Sequence, residues 1–138
     1  MAKKIAILTG GGDCPGLNHA IRGVVLKAAK LGYECLGIQE GWKGMIQADA
    51  KPLTPDCVRE IVGKGGTILG TSRTNPFKKD GAPAKVLETF KTLDLHALVA
   101  MGGEDTLGVA ARLYKEHKVN VVGVPKTIDN DLSATDYT

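Results

Sequence analysis

Charge gathers in this chain where an apolar run ends. Residues 121–132 read VVGVPKTIDNDL, so Lys126, Asp129 and Asp131 follow directly on a strand-like segment. A carboxylate such as Asp129, held beside an alcohol, can accept its proton. Lys126 can set a mobile positive charge against a phosphoryl group in transit. The same residues would also suit an Asx-rich turn with solvated charges.

Other loops bear on that choice. TGGGDCPGLNHAI (9–21) follows an apolar run and opens a helical pattern. Glycines let the backbone approach a ligand, and a helix N-terminus offers free amides to an anion. The loop is neither a P-loop nor a dinucleotide fingerprint, and a tight strand-to-helix turn needs glycine anyway. MGGEDTLGV (101–109) repeats the arrangement with Glu104 and Asp105 at a helix start. Capping and dipole compensation account for such acids. So does a magnesium site, because magnesium takes hard oxygen ligands and bridges phosphate oxygens. On this loop alone, capping is the simpler account. Loops of this kind at one edge of one sheet, together with Lys126 and Asp129, describe phosphoryl-transfer chemistry.

The elements that would position these loops alternate. Strands are expected at 4–9, 33–38, 96–101 and 119–124, and helices at 17–31, 54–62, 80–93 and 105–117. In the helix at 17–31, Leu17, Ala20, Ile21, Val24, Val25, Ala28 and Leu31 share one face. Thr54 and Pro55 are N-cap and first-turn signals for the helix at 54–62. The alternation predicts an α/β fold: a Rossmann-like three-layer sandwich, with a mostly parallel sheet and helices on both faces. Ligands in such sheets bind beyond the carboxyl ends of the strands, which selects loops 10–16, 39–44, 102–106 and 125–131. The segment GKGGTILGTSRTNPFKKDG (63–81) is long, glycine-rich and basic, and carries an isolated Arg73. Such a loop usually binds something.

Composition narrows the partners. With 138 residues and 43% hydrophobic residues, the chain can build one ordinary core. The net charge of +3 is dispersed, without the patch that a nucleic-acid footprint requires. Cys14, Cys35 and Cys57 match neither a disulfide framework nor a zinc pattern. Free thiols suit a reducing compartment, and nothing approaches transmembrane length, so a cytoplasmic protein is expected.

TGGGDCPGLNHAIRGVV, GGTILGTSR, GGEDT and PKTIDNDL…TDYT resemble the phosphofructokinase family, in the family's order and over essentially the whole chain. The resemblance implies phosphoryl transfer to the 1-hydroxyl of fructose 6-phosphate, giving fructose 1,6-bisphosphate. It makes Asp129 the proton acceptor, with Thr127 and Asp131 lining the same pocket. It places Gly11, Gly12, Arg73, Gly103 and Thr106 about the donor's phosphates and Glu104 on Mg²⁺. It further implies an N-terminal donor-binding domain spanning 1–138, with the fructose 6-phosphate domain absent, from a longer chain that forms a homodimer or homotetramer.

Two positions bear on the donor. Asp105 and Thr106 stand where ATP-dependent members have glycine and serine, and Lys126 stands where they have glycine. The Asp105–Lys126 combination resembles the pyrophosphate-dependent branch. A carboxylate at 105 would occupy the space of a nucleotide's α-phosphate and repel it. The alternatives are an ATP-dependent phosphofructokinase with an unusual donor loop and a phosphate-binding fragment without catalysis.

Overall fold

The computed structural model describes residues 2–128 and 131–136. Its centre is a five-stranded sheet in the order β3-β2-β1-β4-β5. The strands are β1 (Lys4–Thr9), β2 (Glu34–Ile38), β3 (Ala50–Leu53), β4 (Leu95–Gly102) and β5 (Val121–Pro125). β1 pairs in parallel with both β2 and β4, and β4 pairs in parallel with β5. β3 closes one edge in antiparallel sense. The sheet is therefore mostly parallel, as the alternation predicts.

Alternation along the central strands separates two apolar layers. Ala6, Leu8, Leu98 and Ala100 pack beneath α2 (Trp42–Gln47), α3 (Ala82–Thr92) and α4 (Glu104–His117). Ile7, Cys35 and Met101 face α1 (Leu17–Lys30) on the other side. On α1 the buried residues Leu17, Ile21, Val25 and Ala28 lie on the predicted face. Leu31 falls outside it: it is the C-cap and is 58% exposed.

The stretch at 54–62 departs from the helix expected there. Its cap forms, with the Cys57 amide donating to Thr54 Oγ1 (3.3 Å), but turns follow and only Ile61–Gly63 makes a short 3₁₀ segment. Val58 and Ile61, three apart, are both buried, a spacing that a tight turn serves as well as an α-helix. The glycines at 63, 65 and 66 prevent the further turns that would make an isolated helix worth nucleating.

Two elements lack a clear sequence signal. α2 has only six residues, and its anchors are the buried Trp42 and Met45. β3 contains no β-branched residue, and Pro52 is tolerated because the strand lies at the sheet edge.

Candidate functional site

The carboxyl ends of β1, β4 and β5 converge. The Gly10 amide donates to Met101 O (2.9 Å), and the Lys126 amide donates to Gly102 O (2.9 Å). These bonds carry the sheet pairing one residue past each strand and draw the three following loops together. Thr106 locks the junction. A Cβ on Gly10 would lie 2.4 Å from Thr106 Oγ1, and one on Gly102 would lie 2.6 Å from Thr106 Cβ. Thr106 is buried, so its hydroxyl is a packing group and only its backbone amide remains for a donor phosphate.

The α4 N-terminus keeps anion-binding capacity. Its first helical bond runs from the Leu107 amide to Gly103 O, which leaves the amides at 104–106 without helical partners. Gly103 has an extended backbone and no side-chain cap. Glu104 and Asp105 are exposed in this first turn. Asp105 Oδ1 accepts a bond from Asn75 Nδ2 (3.3 Å), so its carboxylate faces the loop after Arg73.

Lys126 is anchored. The residue is only 9% exposed, and Nζ donates to Gly12 O at 2.6 Å. Gly11, at φ +78°, approaches closely: a Cβ there would sit 3.2 Å from the same Nζ. The ammonium thus lies under the glycine loop of β1, and its charge is fixed in place, whereas the sequence suggests a mobile one. Gly12 also packs near Ile128, since a Cβ on it would lie 3.0 Å from Ile128 Cδ1. Thr127 Oγ1 donates to Asp131 Oδ1 (2.7 Å) and accepts the Asp131 amide (3.4 Å), closing the last loop on itself. Asp129, between them in sequence, is outside the described residues.

A cleft of about 240 Å³ brings Gly103, Glu104, Lys126, Thr127 and Asp131 to one surface. A second, of about 280 Å³, runs from Cys14–Leu17 to Val124–Thr127, so Lys126 and Thr127 line both. Arg73 is exposed, two residues before Asn75, which bonds Asp105. Among the described residues no three acidic, histidine or cysteine side chains form a metal cage. Glu104 offers one exposed carboxylate, with Asp105 next to it; that would fit magnesium, which keeps its waters and takes one or two carboxylates plus phosphate oxygens, only with a donor phosphate held by the adjacent amides.

Several contributors escaped the sequence reading. Thr9 and Asn18 are tied by side-chain bonds to the 64–72 segment, in which Thr67 is one of the partners of Thr9. The available signal was Asn18 itself, a polar residue on the apolar stripe with Ile21 and Val25.

Glycine-rich strand-to-helix turns thus meet at the carboxyl edge of a doubly wound α/β sheet, the edge at which such folds bind ligands. The sequence model of the family Phosphofructokinase matches residues 4–138, and the chain belongs to that family. It is 56% identical over 135 residues to a pyrophosphate–fructose 6-phosphate 1-phosphotransferase of Dictyoglomus thermophilum, covering 98% of this chain and 39% of that protein. It is 45% identical over 138 residues to an ATP-dependent 6-phosphofructokinase of Glaesserella parasuis, covering 100% of this chain and 43% of that protein. The Pichia pastoris phosphofructokinase in the T-state superimposes with a TM-score of 0.91 at 32% identity, over 100% of this chain and 16% of that one. The chain thus spans about two fifths of the length of these curated relatives. No helix among the described residues is long and apolar enough to cross a membrane.

Proposed function

We propose that the chain is the phosphoryl-donor-binding part, residues 1–138, of a cytoplasmic, homo-oligomeric pyrophosphate-dependent phosphofructokinase. The reaction is transfer of a phosphoryl group from pyrophosphate to the 1-hydroxyl of fructose 6-phosphate. Lys126 carries the reading: a nearly buried ammonium held 2.6 Å from Gly12 O, at the junction of the β1, β4 and β5 loops. An ammonium there can stabilise charge on a transferring phosphoryl group without reorganising. The gap in similarity points the same way. Four relatives named as pyrophosphate–fructose 6-phosphate 1-phosphotransferases are 52–56% identical to the chain, against 45–47% for ATP-dependent ones.

In this reading Gly11, Gly12, Gly103 and the amides at 104–106 cradle the donor, with Arg73 against its outer phosphate. Asp129 takes the proton as the sugar oxygen forms its bond to phosphorus and the bridging P–O bond breaks, releasing inorganic phosphate. Thr127 and Asp131 shape that pocket through their mutual bonds. A magnesium ion, held by Glu104, would supply charge neutralisation on the donor's oxygens. Asp105 would keep nucleotides from the donor cradle.

The test is turnover of the full-length protein with pyrophosphate and with ATP in parallel, with magnesium and with excess chelator. Preference for pyrophosphate and loss of activity in chelator are expected. Preference for ATP would replace the donor assignment with the ATP-dependent one.

A further inference from the structure

The segment at 64–72 is bound across the carboxyl edge as a strap. Asn18, 1% exposed, sits at the start of α1 and donates from Nδ2 to Lys64 O (3.1 Å) and, at longer range, to Gly65 O (3.5 Å). Its Oδ1 accepts the Ile68 amide at 2.7 Å, and its own amide donates to Gly66 O (3.2 Å). One side chain therefore holds both arms of the Gly65–Gly66 turn. Thr9, fully buried at the end of β1, donates from Oγ1 to Gly70 O (2.8 Å). The Thr67 hydroxyl, 2.9 Å away, must then donate to Thr9, while Thr67 Oγ1 accepts the Leu69 amide (3.1 Å). Beyond β2, the Glu40 amide donates to Leu69 O (2.8 Å) and Ser72 Oγ donates to Glu40 O (2.6 Å).

The strap thus runs over α1, β1 and the β2 turn before it delivers Arg73. Past that residue, Asn75 bonds Asp105 on α4. A loop rich in glycine has many conformations to lose, so its geometry depends on such fixed points. We infer that Asn18, with Thr9, is a positioning residue that fixes the strap and so sets Arg73 and Asn75 at the donor end of the site. Neither residue would touch the donor. The inference rests on the reading of this edge as a phosphoryl-donor site.

The experiment uses the full-length protein with Asn18→Ala, Thr9→Val and Thr9→Ser. The strap exposes Lys64 and Arg73, so trypsin reports its opening independently of activity. Asn18→Ala should speed cleavage after Lys64 or Arg73 roughly tenfold, the scale of losing a buried hydrogen-bond set. It should raise KM for pyrophosphate by a similar factor, leaving kcat and the KM for fructose 6-phosphate within about twofold. Thr9→Val should act in the same direction, and Thr9→Ser, which keeps the hydroxyl, should behave as wild type. If Asn18→Ala does not fold, the two Thr9 variants decide the matter by the same readouts. Unchanged cleavage overturns the inference. So does faster cleavage with an unchanged pyrophosphate KM, because the strap would then be structural only. Should the wild type turn over no donor, the functional reading falls by itself. Protection of the strap from trypsin by inorganic pyrophosphate would then decide: weaker protection in Asn18→Ala upholds the inference, and equal protection overturns it.

Discussion

Replacing Lys126 by methionine keeps the unbranched stem but removes the ammonium. In the resting protein this deletes the 2.6 Å bond to Gly12 O. A hydrogen bond to a charged group contributes about 1.5–3 kcal/mol, and the low exposure of Lys126 argues against heavy solvent screening. If Nζ, while still held by Gly12 O, gives a second bond of that size to the transferring phosphoryl group, its loss raises the barrier by about the same amount, or roughly 10- to 150-fold in rate. Steady-state kinetics of full-length Lys126→Met with pyrophosphate should show the loss chiefly in kcat. ATP turnover should fall much less, because Lys126 is one of the two positions at which the sequence resembles the pyrophosphate-dependent branch. Pyrophosphate kcat/KM within twofold of wild type would refute the assignment. An equal loss with both donors would refute it too, since collapse of the Gly11–Gly12 loop, which packs against Nζ, would then be the cause.

Other positions give separable outcomes. Asp105→Gly should raise kcat/KM for ATP by removing an exposed carboxylate beside the free α4 amides; unchanged ATP turnover would count against donor exclusion by charge. Asp129→Asn should lower kcat by ~10²–10⁴ with little change in substrate KM, as for other positioned general bases, and near-normal kcat would move the base to Asp131. Thiol alkylation followed against pH should modify Cys57 at lower pH than Cys35. Hydrogen bonds from the Thr54 hydroxyl and the Thr54 backbone stabilise the Cys57 thiolate and lower its pKa, whereas burial pushes the Cys35 thiol up. Mass spectrometry of the labelled peptides reads the order, and Cys35 reacting first would refute it.

The layered architecture was legible because its signals were strong. β1, α1, β4, α4 and β5 each carry an apolar run or a helical stripe long enough to outweigh local ambiguity. α2 and β3 were not legible, because one is too short for periodicity and the other owes its existence to pairing with β2. At 54–62 the cap signal was real, but the glycines after it decided the conformation. The Thr9–Thr67 and Asn18–Lys64 contacts link residues 58 and 46 positions apart, and no local pattern encodes such a pairing.

The glycines show most clearly what a motif does and does not tell. In sequence, Gly10, Gly11, Gly12, Gly102 and Gly103 all belong to cradles. Packing divides them. Gly10 and Gly102 lie against Thr106 so closely that a Cβ on either would overlap it, and they hold the β1 and β4 loops together. Gly11 and Gly12 face Lys126 and Ile128, while Gly103 meets only Lys126 O, at 3.5 Å from its would-be Cβ. The first pair is needed to build the junction, and the second set is free to meet a ligand. Substitution should separate the two roles. Alanine at 10 or 102 should damage folding. Truncating Thr106 to alanine should relieve Gly10→Ala by removing the Oγ1 and Cγ2 that crowd it, but not Gly102→Ala, which still meets the Cβ of residue 106 at 2.6 Å. Alanine at 103 meets no such obstacle, so its effect should fall on donor binding.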